Sequence, residues 1–215
     1  MASFVSGRVP IRIDQREPTA AGRHPAILLL HGSGGNVSFW FDRVAPQLAR
    51  LNLGLYAAHY FNRTGTIRAD RETILDGQHF PMWLSTISDA IAYIRTRPSV
   101  DPDRIALLGI SLGAFLALSL ATDPAARIRA IVEVSGGIPE SSLSAVGPNF
   151  PPTLIVHGDV DTVVPVSMAY QLKELLGRHR VPFQGLILPG QGHWFDPAAQ
   201  LQILMATAGF LVRHL

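Results

Sequence analysis

The pentapeptide Gly109-Ile110-Ser111-Leu112-Gly113 follows the apolar run Ile105-Ala106-Leu107-Leu108 and opens a helix-like run from Ala114 to Leu120. This strand, turn and helix context constrains the fold more than any other stretch. A serine held on a sharp turn between strand and helix has a strained backbone and an exposed hydroxyl, and a glycine on either side lets the backbone crowd together there. The helix that follows aims its N-terminus at the turn, which favours negative charge developing nearby. The pattern is that of a nucleophile elbow, with Ser111 as the candidate nucleophile.

An activated serine needs a base and a group that orients the base, and both are found downstream. Thr153-Leu154-Ile155-Val156 reads as a short buried strand, followed by the loop His157-Gly158-Asp159-Val160-Asp161-Thr162-Val163-Val164-Pro165 with two carboxylates. Phe183 to Leu188 reads as a further strand, and the turn Pro189-Gly190-Gln191-Gly192-His193 follows it. The chain order serine, acid, histidine separates this arrangement from the trypsin-like and subtilisin-like orders. Asp159 and Asp161 both fit the acid role, one orienting the histidine while the other satisfies loop NH groups. Glu133 is a third carboxylate, whose other reading is structural or pocket wall. Among the histidines, His193 alone lies in a Gly-rich turn after the last strand. His31 and His157 each precede a glycine at a strand end and read as buried imidazoles bonded to backbone, whereas His24, His179 and His214 read as surface residues.

Upstream, Ala26 to Leu30 runs into His31-Gly32-Ser33-Gly34-Gly35-Asn36. Acyl transfer passes through a tetrahedral oxyanion, and each of two preorganised NH donors can contribute about 3 kcal/mol to stabilising it. One donor is assigned to Leu112, after the nucleophile, and the other to Ser33, with Gly34 as its alternative. The stretch from Tyr60 to Trp83 lacks a regular pattern and is long for a loop. Its Arg63, His79, Phe80 and Trp83 are candidates to line a substrate pocket or to pack a surface excursion.

Strands are expected near Arg8–Ile13, Ala26–Leu30, Leu53–His59, Arg104–Leu108, Ala130–Val134, Thr153–Val156 and Phe183–Leu188, alternating with helices as in a mostly parallel sheet covered on both faces. Trp83, Ile87, Ala90, Ile91 and Ile94 recur at helical spacing up to Arg97-Pro98, and Leu172, Leu175 and Leu176 mark a helix stopped at Gly177. A last helix begins with Asp196 as N-cap and Pro197 in its first turn, with Leu201, Leu204, Met205, Ala208 and Leu211 on one face. At 215 residues, 47% of them hydrophobic, the chain can bury a core as one domain, 1–215. The net charge of +2 comes without a basic stripe, which argues against a nucleic-acid partner. With no cysteine, disulfides and thiolate metal sites are excluded. The N-terminal residues lack a signal-peptide core and no run approaches the roughly 20 apolar residues of a membrane span, so a soluble cytoplasmic protein is expected, without membrane association.

Taken together, His31-Gly32-Ser33-Gly34-Gly35, Tyr60-Phe61-Asn62-Arg63-Thr64-Gly65-Thr66, Gly109 to Gly113, His157-Gly158-Asp159-Val160-Asp161 and Gly192-His193 make the chain resemble an α/β-hydrolase of the dienelactone hydrolase family, over nearly its whole length. The resemblance implies an α/β-hydrolase fold and favours Asp161 as the acid of a Ser111-His193-Asp161 triad. Dienelactone hydrolase proper uses a cysteine nucleophile. Serine at the matching position here implies a serine esterase acting on small carboxylic esters or lactones without metal or organic cofactor. The same triad also suits a thioesterase or peptidase, and it argues against the remaining alternative, a non-catalytic binding module that keeps the fold. In α/β-hydrolases a helical lid is commonly inserted after the strand that here ends at Val134. The span from Ser135 to Pro152 is too short for a multi-helix lid and predicts an open site.

Overall fold

The computed structural model describes residues 2–215. Eight segments form strands: β1 (Ala2–Ser6), β2 (Val9–Arg16), β3 (His24–Leu30), β4 (Gly54–Ala58), β5 (Val100–Ile110), β6 (Ala130–Val134), β7 (Thr153–Gly158) and β8 (Phe183–Leu188). They hydrogen-bond into one sheet in the order β1-β2-β4-β3-β5-β6-β7-β8. From β4 to β8 neighbouring strands are parallel, and β1 and β2 add an antiparallel edge. The central strands are buried on both faces, every residue of β3, β4, β6 and β7 being enclosed, as continuous aliphatic runs require.

Helices cover both faces. On one lie α3 (His79–Arg95), α4 (Leu112–Leu120) and α5 (Ser167–Arg178), packed over Leu28, Leu107, Ile131 and Ile155. On the other lie α1 (Val37–Arg50) and α6 (Pro197–His214), over Leu29, Leu108, Val132 and Leu154. The short α2 (Arg71–Leu75) sits on the excursion between β4 and α3. On α3, Trp83, Ile87, Ala90, Ile91 and Ile94 are all buried, as their spacing predicts. Asp196 caps α6, its carboxylate accepting the Ala199 NH at 2.8 Å, a contact of the kind that contributes about 1 kcal/mol. No helix among the described residues is long and apolar enough to cross a membrane.

The structure departs from the sequence expectations at five places. The edge strand β1 and the helix α1 were not anticipated. The α5 helix runs through Gly177 to Arg178. The buried face of α6 is Ala199, Thr207, Phe210 and Leu211, whereas Leu201 and Met205 are exposed, because the helix lies over β6 and β7 on a different stripe. His24 is only 1% exposed rather than at the surface, its Nδ1 hydrogen-bonded to the Pro25 carbonyl at 3.0 Å. Residues 135–152 hold one 3-10 segment, Glu140–Ala145, and form no helical lid.

Candidate active site

The elbow is built by close packing. Ser111 follows β5 with φ +53° and ψ −119°, a left-handed conformation that costs a non-glycine residue of order 1–3 kcal/mol and persists only where its surroundings enforce it. They do so here. The Ser111 NH donates to the Val134 carbonyl at 2.8 Å, and its carbonyl accepts the Ala114 NH at 2.8 Å in the first turn of α4. A methyl group on Gly109 would overlap the backbone of Gly113 and Ala114, and one on Gly113 would overlap Leu30 and His31. Both glycines of the motif are therefore needed to lay α4 against β5 and β3, with Ser111 projecting from the junction.

The loops after β7 and β8 bring the other two groups to it. His193 Nε2 is 3.1 Å from Ser111 Oγ, and His193 Nδ1 is 2.8 Å from Asp161 Oδ2. Asp161 Oδ1 accepts the NH groups of Val163 at 2.8 Å and Val164 at 2.9 Å, so the carboxylate is fixed at both oxygens. The Asp161 side chain is fully enclosed and that of His193 is 8% exposed, so their hydrogen bond is shielded from water. A carboxylate on Nδ1 leaves Nε2 as the acceptor for the serine proton. Asp159 is placed differently, its Oδ1 accepting the Gly190 NH at 2.7 Å and tying the acid loop to the histidine turn. The two loops meet at Gly158, where a side chain would strike the carbonyl of Gly192.

The His31–Asn36 loop closes the other side. A methyl on Gly32 would lie 3.3 Å from Ser111 Cβ and 3.9 Å from Oγ, so this backbone runs directly beside the serine. The Ser33 carbonyl accepts the Ala69 NH at 2.9 Å, which anchors the loop. Leu112 is the first residue of α4, and its NH has no carbonyl a turn behind it. His31 stacks on Tyr60 with centroids 4.1 Å apart and bonds the Gly32 carbonyl at 2.8 Å through Nδ1. Burial pushes the His31 imidazole down to about 4, so it stays neutral at pH 7 as a scaffold group.

A family model for the dienelactone hydrolase family matches residues 14–202. The chain belongs to the dienelactone hydrolase family. Within the curated proteins it is 29% identical over 194 residues to a putative phosphoribosyl transferase of Mycobacterium tuberculosis, a match that takes in 88% of this chain and 41% of that protein. The chain thus spans about two fifths of that relative's length. It is 24% identical to a putative carboxymethylenebutenolidase of Synechocystis, over 83% of this chain and 78% of that one. Among solved structures, a dienelactone hydrolase-like promiscuous phosphotriesterase from metagenomic libraries superposes with a TM-score of 0.83 at 19% identity, covering 99% of this chain and 96% of the other. The fold is the α/β-hydrolase fold of that neighbour.

Within this dienelactone hydrolase family fold, the residues of the 60–83 excursion that were candidates for a pocket wall or for packing make packing and backbone contacts. Trp83 is 0% exposed and donates its indole NH to Thr64 Oγ1 at 3.0 Å, so it is a core residue and not a wall. Phe80 is partly buried against the same core. Arg63 Nη1 donates to the Gly7 carbonyl at 3.0 Å in the β1–β2 turn. Gly34 remains exposed on the loop beside Ser111.

Sequence reasoning missed Trp194. It is 77% exposed, and its ring stands edge-on to His193 with centroids 5.4 Å apart, an unpacked aromatic next to that imidazole. Its adjacency to His193 was the available signal. A cleft of about 320 Å³ lies between α1 and α6, lined by Trp40, Val44, Leu108, Ile110, Phe195 and Leu204 among others. Ser111, Asp161 and His193 do not line it, although Ile110 and Phe195 stand close to them in the chain.

Proposed function

We propose that this chain is a serine-dependent carboxylic ester hydrolase for small esters or lactones. The observation that carries the reading is the unbroken chain Ser111 Oγ, His193, Asp161, with contacts of 3.1 Å and 2.8 Å. His193 takes the Ser111 proton through Nε2 as Oγ attacks the ester carbonyl, and Asp161 holds the Nδ1–H tautomer and stabilises the imidazolium that forms. The oxyanion lies against the NH groups of Ser33, or its neighbour Gly34, and Leu112, where the N-terminus of α4 adds its dipole. His193 then returns the proton to the departing alcohol, leaving an acyl group on Ser111. A water deprotonated by His193 attacks this acyl-enzyme, and serine is released with the carboxylic acid. Membership of the dienelactone hydrolase family supports ester or lactone substrates, and a carboxymethylenebutenolidase-named relative points the same way.

The architecture around Ser111 favours small acyl groups. No helical lid covers it, Tyr60, Phe61 and Trp83 are buried in the core, and Trp194 stands exposed beside the imidazole. A buried methylene contributes about 0.8 kcal/mol only where a wall encloses it. In a series of p-nitrophenyl esters, kcat/KM is expected to be highest between acetyl and hexanoyl. A maximum at dodecanoyl or longer would contradict the open site and would direct the acyl chain to the cleft between α1 and α6.

A further inference from the structure

In the mechanism proposed above, each part of the ester has its place. The carbonyl oxygen faces the NH groups of Leu112 and of Ser33 or Gly34. The departing oxygen stands at hydrogen-bond distance from His193 Nε2, because that nitrogen returns the proton taken from Ser111 as the C–O bond breaks. The alcohol portion is therefore held beside the imidazole and meets what flanks that ring. Asp161 lies at Nδ1 and Ser111 at Nε2. Trp194 stands against the same ring, its centroid 5.4 Å away and its plane turned by 86°.

Trp194 projects from a braced turn. No aromatic side chain among the described residues is more exposed than its 77%. The residues on either side of it are enclosed, the His193 side chain at 8% exposure and Phe195 buried in the core under α6. The backbone around them is tied down. The Gly190 NH donates to Asp159 Oδ1 at 2.7 Å, and the Val160 NH donates to the Gln191 carbonyl at 3.1 Å. The Gln191 side chain pairs with Asp196, donating to Oδ2 at 2.8 Å and accepting the Asp196 NH at 3.0 Å. A large apolar side chain is thus held in water at a fixed position, beside the base that the reaction uses. Val160 and Val163, in the acid loop bonded to this turn, are exposed as well and add apolar surface.

A fixed indole gives up little freedom on contact, and a planar ring packs on it offset or edge-to-face at centroid separations of roughly 4.5–7 Å. An aryl group bonded directly to the departing oxygen is brought within reach of an indole that stands 5.4 Å from the imidazole. A flexible alkyl group has no flat face to match and more torsions to freeze.

We propose that Trp194 is a specificity-determining residue for the alcohol side of the ester: it packs against a planar aromatic group on the departing oxygen, so that aryl esters of short carboxylic acids are the preferred substrate class. This rests on the hydrolase reading above. The contact holds the alcohol while Ser111 Oγ bonds to the carbonyl carbon, the C–O bond to the alcohol breaks and His193 Nε2 protonates the departing aryloxide. Hydrolysis of the acyl-enzyme follows after the alcohol has left, so the effect belongs to acylation and is read in kcat/KM.

The test keeps the acyl group constant and varies the alcohol. 2-Naphthyl acetate and hexafluoroisopropyl acetate have alcohols of similar acidity, one flat and aromatic, the other branched and non-aromatic, and both leave the same acetyl-enzyme. The ratio of their kcat/KM values, measured by pH-stat titration, cancels any general disturbance of Ser111 or His193. In the wild type the ratio is expected to favour the naphthyl ester by about tenfold or more, and Trp194→Ala is expected to lower it by about tenfold. Trp194→Leu keeps apolar bulk without a flat face and is expected to lose the ratio equally. Ile67 is 88% exposed but stands by the oxyanion loop, its carbonyl oxygen 2.4 Å from where a methyl on Gly35 would lie, so Ile67→Ala is expected to leave the ratio unmoved. Because both side chains are exposed, their replacement leaves the core intact, and circular dichroism checks the fold. Three results overturn the role of Trp194 while the hydrolase reading stands: an active wild type with no preference for the naphthyl ester, a Trp194→Ala or Trp194→Leu protein that keeps the wild-type ratio, or an equal loss in Ile67→Ala. A wild type that cleaves neither ester removes the hydrolase reading and this role with it.

Discussion

Ser111→Ala is expected to lower kcat for p-nitrophenyl acetate by roughly 10⁵-fold while leaving the circular dichroism spectrum and Tm close to wild type. The size follows from where the hydroxyl stands. Ser111 Oγ is the atom bonded to His193 Nε2, and it is held there by a backbone that Gly109, Gly113 and the Val134 carbonyl keep in the left-handed region. Alanine tolerates that backbone no worse than serine does, so the fold persists while the nucleophile is gone. Residual hydrolysis would come from the oxyanion donors and from binding alone. Steady-state kinetics on the purified variant checks this, with circular dichroism as the control for folding.

Asp161→Asn carries the next largest effect, a drop in kcat of about 10³-fold or more. Asp161 accepts three hydrogen bonds, from Val163 NH, Val164 NH and His193 Nδ1–H. An asparagine has one carbonyl oxygen to offer. If that oxygen stays with the two valine NH groups, the amide NH2 faces His193 and turns Nδ1 into an acceptor, which moves the imidazole proton to Nε2 and blocks the uptake of the serine proton. Asp159→Asn is expected to cost less than about tenfold, because Asp159 anchors the Gly190 NH and does not touch His193. Parallel kinetics on the two variants tests the pair, and the reverse ranking in folded proteins would reassign the acid.

How far the chain was legible depended on whether local chemistry or distant packing made each choice. Strands β6 and β8 end where expected because each is a short apolar run bounded by turn residues. Ser111 and His193 stood out because an elbow and a Gly-rich turn are local features. Asp159 and Asp161 could not be separated from their spacing: they are two residues apart in one loop, and only the position of the β8 turn shows which of them meets the imidazole. Strand β1 was missed because Ala-Ser-Phe-Val-Ser has little apolar pattern of its own and becomes a strand by pairing with β2. The apolar stripe on α6 was misplaced because Leu201 and Met205 satisfy helical spacing as well as Phe210 and Leu211 do, and the angle at which the helix crosses the sheet decides which set is covered. Trp83 carried two readings, pocket lining at the end of an irregular stretch and the first position of an apolar helix face, and the start of α3 at His79 turns it inward onto Phe61.

The central claim is that Ser111 is a nucleophile activated by His193, and a fluorophosphonate probe tests it most directly. A phosphonyl group adds to an activated serine Oγ with loss of fluoride and does not need the natural substrate. Mass spectrometry of the labelled wild-type protein is expected to show one adduct per chain on the peptide containing Ser111, with no adduct in Ser111→Ala and greatly slowed labelling in His193→Ala. Folded wild-type protein that takes up no probe, or that carries the adduct on another serine, would contradict the account.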